Sequence, residues 1–183
     1  MSEAKRYRRE EGFTLLETLI ALAILATGIL GLAGMLADAL ASMQGSREAF
    51  IAEQKAEQAV EAIFTAKYTN SVTWPQVNNF TAGNPTGLFL PGAQPLTVTG
   101  ADGLVGTAVD AAAAPDYFLN PGPDGKLGTA DDVQIPLTNF TRTITITPIA
   151  TDPNLRQIQV TVNYTAGRLK GAYTLTTLIS AFD

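Results

Sequence analysis

The chain contains no cysteine and no histidine among its 183 residues. Without thiols it can form neither a disulfide framework nor a thiolate zinc site. Without imidazole it lacks the most common general base and metal ligand. It also has no Gly-x-Ser-x-Gly elbow and no Walker loop. Only carboxylate chemistry remains, and no residue pattern points to it, so the chain reads as non-enzymatic. Charge is missing from one stretch in particular: Thr18 to Ala37 carries no ionisable side chain, and Glu17 is the only charge between Glu11 and Asp38.

A carboxylate just inside a run of membrane length must be neutralised, paired or drawn to the interface, so a lone one reads as functional. The run itself is long enough to span, since about 20 apolar residues rising about 1.5 Å each cover a bilayer's hydrocarbon core. A cleaved secretory signal has a shorter apolar core, of about 7 to 15 residues, and a small-residue cleavage site beyond it. An ordinary signal anchor would span equally well but gives Glu17 no role. Ahead of the run, Lys5, Arg6, Arg8 and Arg9 form a short basic leader that belongs on the cytoplasmic side.

Basic leader, Gly12-Phe13, Glu17 and apolar helix together resemble the class III signal of type IV prepilins and type II secretion pseudopilins. The resemblance implies that a membrane-embedded prepilin peptidase cuts after Gly12 and methylates the new amine of Phe13. It also implies that Glu17 neutralises a neighbouring subunit's terminal amine as subunits stack in a pilus (fimbrium) or pseudopilus, with a partner ATPase and an inner-membrane platform driving assembly. Many major pilins have proline where this chain has Gly34, and the tract Ile29-Leu30-Gly31-Leu32-Ala33-Gly34 looks more like minor pilins. Small residues recur here at steps of four (Ala23, Thr27, Gly31) and three (Gly28, Gly31, Gly34), a spacing that lets helices approach closely or simply marks a glycine-tolerant membrane helix. Many type IV pilins also have a disulfide near the C-terminus, which this chain cannot form.

Four segments follow from this organisation: leader 1–12, transmembrane or filament-core helix 13–37, amphipathic helix 38–68, and a globular β-rich head 69–183 of ordinary single-domain size. The leader holds four of the 12 basic and three of the 17 acidic residues, leaving eight against fourteen, formally −6. That balance argues against nucleic acid as the head's partner.

No proline interrupts Phe13 to Tyr68, which predicts one long helix. Its second half places Leu36, Leu40, Met43, Phe50, Ala56, Val60, Ile63 and Phe64 among its apolar positions. Beyond Tyr68 the breaker clusters of Asn, Thr, Gly and Pro predict loops to about residue 137, with short strands near Leu88 to Leu90 and Leu96 to Thr99. Period-two patterns then predict three antiparallel strands over Phe140–Ile149, Leu155–Tyr164 and Tyr173–Ile179, turning at Asp152-Pro153-Asn154 and Ala166-Gly167-Arg168. The expected class is α+β: a long N-terminal helix, membrane-spanning in its first half, packed on a C-terminal antiparallel sheet.

Between the loops and the meander, Gly122-Pro123-Asp124-Gly125 precedes Asp131-Asp132. The spacing does not fit an EF-hand, whose next ligand positions would fall on Lys126 and Gly128. It resembles the calcium loop of the major pseudopilins, which implies Asp124, Asp131 and Asp132 as side-chain ligands of Ca2+, with loop carbonyls completing the shell. The simpler reading is an Asp-Gly turn beside a solvated acidic pair. For the whole protein, the reading opposed to a filament subunit is a membrane-anchored exported binding module that does not polymerise.

Overall fold

The computed structural model describes residues 13–182, so the leader and Gly12 lie outside the described residues. Helix α1 runs Leu15–Tyr68, as the absence of proline predicts. It is followed by a 3-10 turn at Trp74–Gln76 and six strands: β1 Gln94–Pro95, β2 Tyr117–Asn120, β3 Val133–Pro136, β4 Phe140–Ile149, β5 Asp152–Ala166 and β6 Leu169–Ser180. The architecture is α+β, a long helix whose C-terminal part shares a core with an antiparallel sheet.

The chain divides into two compact units between Ser42 and Met43. In the first, every described residue is exposed. A helix that is apolar on all sides, with its described residues exposed throughout the unit, has the pattern of a segment made for lipid or for other helices. A Cβ added at Gly28, Gly31 or Gly34 would meet nothing within 4 Å, so packing inside the unit does not require glycine at any of them.

The second unit is built on a four-stranded sheet ordered β1-β4-β5-β6. Arg142, Ile144 and Ile146 of β4 lie opposite Val162, Val160 and Ile158 of β5, and all six are buried. Against this face the helix buries Ile51, Ala52, Ala56, Ala59, Ile63 and Ala66. Leu36, Leu40, Met43 and Phe50 are instead exposed, so the buried stripe begins later than the sequence pattern implies and is made largely of alanine. Arg142 is buried in the same phase of β4 as Phe140 and Ile144.

The meander follows prediction closely for β4, while β5 and β6 extend beyond their expected ends. The first turn falls at Ala150 and Thr151 instead of Asp152 to Asn154, with an irregularity between Pro148 and Ile149. Gly167, with φ 59°, makes the second turn in the left-handed region. The strand expected at Leu88 to Leu90 reduces to single bridges at Phe89, and that at Leu96 to Thr99 to β1 just ahead of it and a bridge at Thr97. In place of a longer strand, Asn79 serves the outer edge of β4. Its Nδ2 donates to Ile144 O at 2.7 Å, and its Oδ1 accepts the N–H of Ile146 at 2.7 Å.

Candidate functional site

Two places hold the sequence-predicted residues, one in each unit. At the start of α1, Thr14 stands immediately before the first helical residue, and its Oγ1 accepts the N–H of Glu17 at 3.3 Å. That is an N-cap bond, and Thr14-x-x-Glu17 has the spacing of a capping box. Glu17 is an acid in the first turn, where the helix dipole favours negative charge. Thr14 is therefore a working residue missed in the sequence, although the Thr-x-x-Glu pattern was there to find it. Phe13 precedes the helix and is exposed.

The second place is the loop 121–132, which joins β2 to β3. These strands form a two-stranded antiparallel hairpin closed at its base by Asn120 opposite Val133. The hairpin was not anticipated, and it brings the two halves of the acidic motif together. Asp124 Oδ1 accepts the N–H of Lys126 at 2.8 Å. Asp131 Oδ1 accepts the hydroxyl of Thr129 at 2.6 Å, and its Oδ2 accepts the N–H of Asp124 at 3.4 Å. Asp132 Oδ2 accepts the N–H groups of Gly128 at 2.6 Å and Thr129 at 3.2 Å.

Gly125 (φ 67°) and Gly128 (φ 87°) turn the loop through the left-handed region. Gly122 lies so close to Asp131 that a Cβ there would collide with its carboxylate. The other oxygen of Asp132, Oδ1, is buried without a hydrogen-bond partner, which calls for an explanation such as an ion or a water. Among the described residues, no group of three or more acidic side chains stands close enough to hold a metal ion. The donor set is all oxygen and suits a hard cation, but the three carboxylates are turned to backbone amides and to Thr129.

The hairpin is tied to the helix of its own unit. Asp116, just before β2, pairs with Lys55 Nζ at 2.6 Å. Its N–H donates to Leu96 O at 2.9 Å, and its carbonyl accepts the N–H of Leu137 at 2.7 Å. One residue into the strand, the Arg47 guanidinium lies 4.2 Å over the Phe118 ring. Behind them, buried Asp110 accepts bonds from Thr97 Oγ1, Gly106 N, Thr107 N and Thr107 Oγ1 at 2.7 to 3.1 Å. Burial pushes the Arg142 guanidinium down to about 10, while Asp110 and Asp116 pull it up; it stays charged at neutral pH.

Residues 7–33 match the family described as the prokaryotic N-terminal methylation motif. No curated protein and no solved structure matches the chain. The chain thus carries the signal of type IV pilins and pseudopilins, followed by an exposed apolar helix long enough to cross a membrane. The motif implies processing by a peptidase, and together with the apolar helix it is consistent with export and membrane anchoring. The family match ends at residue 33 and does not reach the hairpin loop.

The hydroxyl of Thr129 is the main cause holding the Asp131 carboxyl below its ordinary 3.8. A carboxyl depressed in the folded state contributes stability above its unfolded value, and loses it as pH falls through the lower folded value. Thr129→Ala should return Asp131 toward the ordinary carboxylate range. NMR titration of the side-chain carboxyl checks this, and an unchanged midpoint would remove Thr129 as the cause.

Proposed function

We propose that this chain is a structural subunit, of the minor-pilin kind, of a type IV pilus or type II secretion pseudopilus. The observation that carries the reading is the methylation motif at residues 7–33, set on an apolar helix whose described residues through Ser42 are all exposed. On this reading prepilin peptidase cuts after Gly12 and methylates Phe13. The subunit waits in the inner membrane with a periplasmic head, then enters the filament through its N-terminal helix at the assembly platform. Glu17 supplies the negative charge that a neighbour's terminal amine requires in a water-poor bundle. The glycines at 28, 31 and 34, where an added Cβ meets nothing within 4 Å among the described residues, let neighbouring helices draw close. Mass spectrometry of the membrane-extracted protein should find N-methylated Phe13 at the terminus. Recovery of only uncut chain from peptidase-positive cells would return it to a non-polymerising anchored module.

Substituting Glu17→Ala should leave cleavage intact and abolish incorporation into filaments. Removing one partner of a buried ion pair costs about 3 to 5 kcal/mol. The Thr14 cap bond uses the backbone N–H of residue 17, so the helix start survives the change. Wild-type incorporation would take the pairing role away from Glu17.

For the hairpin loop we propose that Asp124, Asp131 and Asp132 hold one Ca2+, with the unsatisfied Oδ1 of Asp132 as the observation in its support. Binding would turn the three carboxylates from the backbone amides and Thr129 that hold them now toward a shared ion, and would order the hairpin that Lys55 and Arg47 fasten to the helix. A ligand of the folded state at 100 times its dissociation constant adds about 2.7 kcal/mol. The full chain in detergent should therefore melt higher with calcium than with chelator, and Asp132→Asn should lose the difference. Coincident melting curves would leave an ordinary acidic turn.

A further inference from the structure

The two edges of the main sheet are treated very differently. On one side β1 is two residues long and ends in Pro95, and Asn79 occupies the backbone groups of Ile144 and Ile146. On the other side β6 runs twelve residues from Leu169 to Ser180 and pairs with β5 throughout without an irregularity. Among the described residues no strand pairs with its far edge. Natural edges are usually shortened, bulged, charged or broken by proline, because a long regular one is a template for another chain. In β6 the only charge is Lys170, at its second position, and there is no proline. Exposed Leu169 and Leu178 lie on the strand, with exposed Phe182 just beyond it.

We propose that β6 is an interface for a second copy of this chain, the two β6 strands pairing antiparallel about a two-fold axis near Leu175 to join the two sheets into one. The occupant follows from the sheet and from the strand's sequence. Head-to-tail chaining of sheets would need a second open edge, and β1 with Asn79 closes that side, so edge pairing between copies must be β6 with β6. Such an isologous contact closes at two. In an antiparallel strand the N–H and C=O of one residue point to the same side and alternate along the chain. Outward residues must therefore face outward residues, and a slip of one position is barred. Centring on Leu175 satisfies this rule and sets Thr174 opposite Thr176, Ala172 opposite Leu178, and Lys170 opposite Ser180.

No like charges meet in this register, and exposed Leu178 gains an apolar neighbour. The pair cannot propagate, so it concerns copies outside a helical array, and it holds whether or not the chain enters a filament.

The chain's lack of cysteine makes the test direct. Full-length Thr174→Cys and Thr176→Cys proteins, mixed in detergent and oxidised, should give a disulfide-linked dimer. Thr145→Cys, on the same face of the sheet but on β4, should not. Thr174→Lys combined with Thr176→Lys places lysines opposite lysines, and should raise the dimer dissociation constant at least about tenfold, with melting unchanged at concentrations where both proteins are monomeric. Three results would overturn the proposal. One is a monomer at all concentrations. Another is a dimer that ignores the lysines and leaves the cysteines unlinked, which would mean association through the apolar helices. The third is linkage of these cysteines in cells to a different protein in place of a second copy.

Discussion

The seating of an alanine-lined helix face on the inner face of the β4-β5-β6 meander is the contact on which the second unit depends. The chain cannot cross-link itself through sulfur, so the head must be held by buried apolar surface, at roughly 25 cal/mol per Å². Ala52, Ala56, Ala59 and Ala66 contribute little area each but let the helix lie close to Ile144, Ile158, Val160 and Val162, which supply the bulk. The same helix carries Arg47 and Lys55, which hold the β2-β3 hairpin by its Phe118 ring and by Asp116. The core contact thereby also sets where the acidic loop stands.

Much of this was legible in the sequence because it rests on periodicity. The missing proline from Phe13 to Tyr68 fixed the helix, and period-two alternation placed β4 to the residue. The β2-β3 hairpin escaped because its strands are four residues each, too short for alternation to register, with Pro115, Pro121 and Pro136 reading as breakers. The burial of Arg142 was not legible, because its position in phase with Phe140 and Ile144 would suit an apolar residue, and the acids that favour its charge, Asp110 and Asp116, are distant in sequence. At the helix start, the deviation of Glu17 from an apolar run was visible at once, whereas its cap partner Thr14 looked like one more uncharged residue.

The charges inside the head have a structural logic of their own. A buried guanidinium is costly unless opposite charge stands near, and two of the atoms of Arg142, Nε and Nη2, have no hydrogen-bond partner. Asp116 serves two cations at once, Lys55 through a direct pair and Arg142 through its field. Arg156 solves the same problem differently. Its Nη1 donates to the carbonyls of Trp74 and Val77, and its guanidinium lies 4.0 Å over the Trp74 ring, so it ties the 3-10 turn to β5 without a carboxylate.

Asn79 bears on the order in which the head assembles. Its bonds to Ile144 and Ile146 cross 65 and 67 residues of chain, whereas the turns joining β4 to β5 and β5 to β6 close over a few. Closing a long loop costs more entropy than closing a short one, and topology of this kind governs folding rate. The meander can therefore form from its own turns, while Asn79 has no partner for these two bonds until the edge of β4 exists. In a chain made N-terminus first, the segment around Asn79 therefore cannot take its final place until the last 45 or so residues are present.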